Sequence, residues 1–157
     1  MSTLNFHIFY DIFFPVMQMK KVMAIDYGDA RTGVAFSDSL GMLAGETTVI
    51  ESWNHEKLLA KLIELAKSRD ASPIVLGLPK NMDGSEGSRA EKCRELGKEL
   101  EEAGFAVILV DERRTTVEAH AILSEAGKHG KQRKQRIDAV AATLILETYL
   151  NGMQCKY

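Results

Sequence analysis

Two apolar rhythms alternate along the chain. "KVMAID" (21–26) and "TGVAFS" (32–37) are short apolar runs joined by a Gly/Asp/Arg turn and read as a β-hairpin. "TTVIES", rich in β-branched residues, predicts a third strand after a loop bracketed by Gly41 and Gly45. From 54 to 69 the period changes. Leu58, Leu59, Leu62, Ile63, Leu65 and Ala66 recur at helical spacing, with Glu56, Lys57, Lys61, Glu64 and Lys67 on the other face. "PIVLGLP" from Pro73 is a continuous apolar run of strand length, suited to a strand buried on both faces of a parallel sheet. The polar loop "KNMDGSEGS" precedes a helix expected over about 88–103, capped by Ser85 or Ser88 and stopped at Gly104. "FAVILVD" is the fifth strand. Thr115, at capping-box spacing from Glu118, or Thr116 opens a helix ending near Gly127. A last helix over about 134–150 carries Ile137, Val140, Ala141, Leu144, Ile145 and Tyr149 on its apolar side.

The order β-β-β-α-β-α-β-α-α predicts an α/β fold: a meander, then alternating units with right-handed crossovers, giving a mixed five-stranded sheet with helices on both faces. Ligands of such sheets bind beyond the carboxyl ends of the strands, so polar residues there carry the information. A length of 157 residues suits one domain. Residues 1–18, crowded with Phe6, Phe9, Tyr10, Phe13 and Phe14 and lacking Lys and Arg, do not have a signal peptide's basic start. They are expected to be an extension or a misassigned start ahead of Met19, with the domain over 19–152 and a tail over 153–157. No run approaches the ~20 apolar residues of a membrane span. Cys93 and Cys155 have no metal-ligand spacing, which fits a reducing, cytoplasmic setting, and His7, His55, His120 and His129 are scattered.

The first strand ends on Asp26, the fifth on Asp111 and Glu112, and Asp138 lies in the first turn of the last helix. Singly, each has a plain structural use: an Asx turn, a solvated edge, an acid complementing a helix dipole. Together they are an all-oxygen set of the kind that holds Mg²⁺ or Mn²⁺, and paired divalent ions can orient and deprotonate water for phosphodiester hydrolysis. Asp29 reads as a turn residue. The net charge is −2, so a nucleic-acid partner must be met locally. "KHGKQRKQR" (128–136) holds five Lys/Arg in nine positions, and Lys80, Arg113 and Arg114 add charge at neighbouring strand ends. Such a segment contacts phosphates without reading sequence. No aromatic interleaving is visible, so base stacking is not indicated.

"AIDYGDARTGVAFSD", "IVLGLPKNMDGSEG", "VDERRTTVEA" and "IDAVAATLILETYL" resemble, in that order, the motifs of the YqgF (RuvX-like) family, bacterial Holliday junction resolvases also described as pre-16S rRNA nucleases. The match covers about 20–150. It implies an RNase H-like fold and a Mg²⁺- or Mn²⁺-dependent endonuclease. The implied catalytic and metal-holding acids are Asp26, Glu112 and Asp138. The expected nucleic-acid contacts are Gly28, Arg31, Lys80, Asn81, Arg113, Thr115, Lys131, Arg133, Lys134 and Arg136. Gly28 and Gly33 are expected to let the backbone approach a phosphate. In many RNase H-like enzymes an acid ends the fourth strand. Here that strand ends in GLPKNMDG, so either Glu112 reaches in from the loop after the fifth strand or Asp83 contributes. If Val110 and Glu112 share a sheet face, Asp111 points the other way. Precursor rRNA and branched DNA are both open as partners, as are a monomer and the homodimer that symmetric junction cleavage needs.

Two rivals come from other classes. A phosphotransferase of the actin–sugar-kinase type shares the opening Asp-x-Gly hairpin but needs two such domains, and neither a Walker loop nor GxGxxG is present. A non-catalytic nucleic-acid or ribosome-assembly factor would gain nothing from a carboxylate cluster on a phosphate-binding surface.

Overall fold

A computed structural model describes residues 20–112 and 130–154, without the side chains of 131–133 and 154. Five strands, β1 (Lys21–Asp26), β2 (Arg31–Ser37), β3 (Ala44–Glu51), β4 (Ala71–Leu78) and β5 (Val107–Asp111), form one sheet in the order β3-β2-β1-β4-β5. β2 pairs antiparallel with both β1 and β3, whereas β4 runs parallel to both β1 and β5. Asp26 therefore closes the central strand, with Gly33 opposite it on β2. The expected mixed sheet is present, with three helices among the described residues: α1 (His55–Ser68), α2 (Ser88–Glu102) and α3 (Lys131–Gln154).

Alternation sorts β1 onto two cores. Met23 and Ile25 join Val34, Phe36, Ile74 and Leu76 against Leu58, Leu62 and Ala66 of α1 and Ala90, Cys93, Leu96 and Leu100 of α2. Val22 and Ala24 join Ala35 and Val75 against Ala142, Ile145, Leu146 and Leu150 of α3. The sheet residues of this second layer are small, so α3 sits close to the sheet. That closeness brings Asp138 to the end of β1.

Several boundaries differ from the sequence reading. β3 begins at Ala44, because its pairing runs on to Ser37↔Ala44 beyond a register shift. β4 begins at Ala71, before Pro73. The β1–β4 ladder shifts register between Lys21 and Met23, and proline, which donates no hydrogen bond, sits in that irregular start. α2 is not capped by a serine. Its N-cap is Gly87 without a side-chain cap bond, and Ser85 Oγ is engaged within the preceding loop by Asp83 and Asn81. Asn54 caps α1, accepting from Lys57 N at 2.8 Å. The last helix starts at Lys131, so the basic stretch 131–136 forms its first turns. Lys, Gln and Arg are good helix formers, and Gly130, at φ 98°, turns the chain into it. The helix expected after Thr115 lies outside the described residues. Among those described, no helix is long and apolar enough to cross a membrane.

Candidate active site

The end of β1 gathers carboxylates from three elements. Asp26 lies on the α3 side, in phase with Val22 and Ala24. Glu112 follows β5, and its backbone N–H still donates to Leu78 O of β4 at 3.2 Å. Its carboxyl then crosses β4 above Gly77. A Cβ on Gly77 would overlap Glu112 Oε1 and stand 2.6 Å from Ile145 Cδ1. Glycine leaves the gap through which the acid spans the intervening strand and hydrogen-bonds Asp26. Glu112 reaches in across Gly77, while Asp83 Oδ1 accepts from Ser85 N at 2.8 Å and Ser85 Oγ at 2.6 Å within its own loop. Val110 faces the α3 layer with Glu112, so the intervening Asp111 is on the opposite face.

Asp138 is placed by a second glycine. A Cβ on Gly33 would overlap the Asp138 carbonyl oxygen and lie 3.4 Å from Ala142 Cβ, so the start of α3 rests directly on β2. Arg31, two residues before Gly33, donates from Nε to Asp138 Oδ2 at 2.8 Å and fixes the carboxylate's direction. Arg31 and Gly33, both read from sequence as phosphate-facing, therefore have structural partners on α3. Gly28 also has a local reason: a Cβ there would strike the Arg31 carbonyl inside the turn.

Burial pushes the Asp26 carboxyl up, to about 6, and the nearby Asp138 charge pushes the same way; the Glu112 hydrogen bond and the Arg89 cation oppose this. Burial pushes Glu112 up further, to about 8, helped by the Asp26 charge. Without a bound metal ion, the stable arrangement near neutral pH is a proton held by Glu112 and shared with Asp26. A pair of desolvated carboxyls that must keep a proton marks a place where positive charge is wanted. The donors are all hard oxygens, which fits Mg²⁺ or Mn²⁺. They are not closed into a finished cage: one Asp138 oxygen is given to Arg31, and among the described residues no three acidic, His or Cys side chains are grouped as a metal site. Asp26 and Glu112, once their shared proton is lost, would hold such a cation together with Asp138.

The other expected contacts divide. Lys80 Nζ is 3.8 Å from Glu86 Oε1, and Asn81 bonds Ser85 through both N and Nδ2 at 2.9 Å, so both help to order the β4–α2 loop. Asp29 pairs with Lys92 at 2.7 Å, as a turn residue on the surface. Lys134 and Arg136 are exposed on α3. Arg113 and Thr115 lie outside the described residues, as do the side chains of Lys131 and Arg133.

Two site residues escaped the sequence reading. Gly77 had a signal: a lone glycine inside an apolar strand marks a close approach. Arg89, in the first turn of α2, acts electrostatically on both Asp26 and Glu112, but nothing in its sequence setting separates it from the other charges of that helix.

A model of the RuvX family, described as Holliday junction resolvase, matches residues 20–152. The chain belongs to that family. Among curated RuvX-like relatives, the "Putative pre-16S rRNA nuclease" of Halothermothrix orenii is 46% identical over 132 residues, covering 83% of this chain and 94% of that protein. The protein of the same name from Fusobacterium nucleatum is 42% identical over 140 residues, covering 85% and 98%. Among solved structures, the Thermus thermophilus RuvC complex with a Holliday junction substrate aligns with a TM-score of 0.55 at 13% identity, over 87% of this chain and 97% of that one. The fowlpox virus resolvase complex with Holliday junction DNA aligns at 0.57 and 8% identity, over 85% and 98%. At such identities these two show the fold, the RNase H-like arrangement of the resolvases.

Proposed function

We propose that this chain is a divalent-metal-dependent endonuclease that hydrolyses phosphodiester bonds, with precursor 16S rRNA as its substrate and branched DNA as the second to be tested. The observation that carries the reading is the Glu112 carboxyl laid across Gly77 onto Asp26. A fold has no use for two buried acids held together at a sheet end, since desolvating them costs stability. Membership of the RuvX family and the names of the curated relatives support the choice of reaction and substrate.

Asp26 and Glu112, with Asp138, would hold the cation, Mg²⁺ or Mn²⁺. When bound, it supplies Lewis-acid polarisation of the phosphoryl oxygen and a water of lowered pKa. The chain's own residues do the rest. Asp26 is fixed by the central strand and Glu112 by the gap at Gly77, so neither reorganises on binding. Arg31 holds Asp138 in one orientation. Arg89 offsets the negative charge of the pair from the α2 side. Lys134 and Arg136, exposed on α3, would meet backbone phosphates, together with Lys131 and Arg133 of the same turns.

The test is cleavage of a precursor rRNA fragment and of a four-way DNA junction with Mg²⁺ or Mn²⁺, by the wild-type chain and by Asp26→Asn. Cleavage of one substrate by wild type and its loss in the variant are expected. Equal cleavage by both would remove Asp26 from the chemistry, and binding without cleavage by wild type would favour a non-catalytic assembly factor.

A further inference from the structure

A second opening lies around the same strand end, on the face of the sheet away from Gly77. It is a cavity of about 600 Å³ between the β3–α1 connection and α2, with walls that include Tyr27, Trp53, His55, Lys92, Glu95 and Glu99. Trp53, the one tryptophan of the chain, is 85% exposed at this cavity. Tryptophan is highly buried on average, so a ring left in water at the mouth of a cavity is an unfilled contact surface. Tyr27 supplies a half-buried aromatic wall, packed against the α1–α2 core.

The polar groups of the cavity indicate what would fill it. Its two basic side chains are committed: Lys92 to Asp29 at 2.7 Å and His55 Nε2 to Glu99 at 2.6 Å. Glu95 has no partner among the described residues and keeps a free acceptor. An aromatic platform with a spare carboxylate and no spare cation does not suit a phosphate. It suits a flat, neutral ring that can donate hydrogen bonds. The cavity neighbours the acid site in sequence and through one shared charge. Tyr27 directly follows Asp26, and Arg89, three residues before Lys92, acts on both Asp26 and Asp29. Aromatic interleaving is absent from the sequence because Tyr27 and Trp53 come from different connections and meet only in the fold.

We propose that this cavity is a subsite for one unpaired nucleobase carrying an exocyclic amine, stacked on Trp53 with its amine donated to Glu95, beside the phosphate held at Asp26 and Glu112. The inference rests on the nuclease reading and adds a preference to it: strands with an unpaired adenine, cytosine or guanine next to the target bond are favoured over continuous duplex and over uracil. Single-stranded recognition of this kind, bases splayed onto aromatic side chains and hydrogen-bonded at their edges, is the usual route to RNA selectivity.

Because Trp53 is unique in the chain, its fluorescence reports on this cavity alone. The full chain, in chelator to prevent turnover, is titrated with oligoadenylate, oligocytidylate, oligouridylate and a blunt duplex, while anisotropy of labelled strands follows total binding. Saturable quenching by oligoadenylate and oligocytidylate is expected, at least about 5-fold weaker binding of oligouridylate, and duplex binding without quenching. Trp53→Ala should weaken binding of the unpaired strands about 10-fold, within the range found for base–aromatic stacking, and leave duplex binding unchanged. Glu95→Gln should narrow the difference between adenylate and uridylate. Binding that leaves Trp53 fluorescence unchanged, or that Trp53→Ala does not weaken, overturns the base subsite while the nuclease reading stands. Absence of all binding by anisotropy overturns both.

Discussion

The carboxyl of Glu112 occupies the space that a side chain at residue 77 would fill. This relationship joins β5 to Asp26 across a strand that contributes no acid of its own. Gly77→Ala should therefore separate function from stability. The atoms a new Cβ meets, Glu112 Oε1 and Ile145 Cδ1, are ends of flexible side chains that can swing aside. The cost in stability should be about 1 kcal/mol, or about 2–4 °C in Tm. Cleavage should fall about 100-fold, the scale of a 1 Å misplacement in an active site. Thermal melts and single-turnover cleavage on the same preparation check this; unchanged cleavage would mean that Glu112 does not need the gap.

Gly33→Ala makes the opposite prediction. Here the new Cβ meets backbone, overlapping the Asp138 carbonyl oxygen and standing 2.7 Å from its carbonyl carbon. A helix backbone cannot rotate away, so α3 must lift from the layer of Val22, Ala24, Ala35 and Val75. A loss of about 3 kcal/mol is expected by urea denaturation, clearly larger than for Gly77→Ala. The reverse ranking of the two variants would contradict the close seating of α3 on β2.

The fold was largely legible because its signals are local. The apolar runs at 21–26 and 107–111 and the helical period of 54–69 each specify their element without help from distant residues. Asp26 was legible as a candidate for the same reason: a carboxylate that ends an apolar run falls at the carboxyl edge of the sheet, where ligands of such folds bind. The supporting groups were not legible, because their meaning depends on what packs against them. Gly33 and Arg31 looked like turn and phosphate residues until α3 arrived above them, and Arg89 looks like any helix-surface charge until the sheet end is placed beside it. Trp53 and Tyr27 lie in separate loops, and only the parallel course of β1 and β3 brings their ends to the same side.

Arg31 is a positioning residue whose effect runs through Asp138. The pair is partly buried, with side chains 30% and 19% exposed, so its loss should cost no more than about 1 kcal/mol. Arg31→Ala should reduce cleavage about 10-fold, the lower end of what outer-shell partners contribute at metal sites, and raise the Mg²⁺ concentration needed for half-maximal rate. Arg31→Lys keeps the charge without the planar fork, so it should restore stability more fully than activity. A cleavage rate and Mg²⁺ dependence equal to wild type in Arg31→Ala would show that Asp138 needs no orientation.

The shared proton between Asp26 and Glu112 predicts how stability depends on pH. In the unfolded chain these acids titrate near 4. In the fold they are raised: Asp26 to about 6, by burial and the Asp138 charge against the Glu112 hydrogen bond, and Glu112 to about 8, by burial and the Asp26 charge. Between about pH 4 and 8 the folded protein holds more protons than the unfolded one, so stability is greatest at the acid end and falls as pH rises from about 4 to about 8. In chelator, Tm should drop by several degrees from pH 5.5 to pH 8.5. Asp26→Asn removes one of the two charges, so it should flatten that slope and make the metal-free protein more stable than wild type at pH 8.5, by on the order of 2 kcal/mol. On the proposed function, Mg²⁺ would compete with the same proton. It should raise the wild-type Tm at pH 8.5, do so weakly at pH 5.5, and have little effect on Asp26→Asn at either pH. A wild-type Tm that is flat with pH in chelator would mean that the two carboxyls are solvated and ionised independently. A Mg²⁺ response retained by Asp26→Asn would place the cation elsewhere.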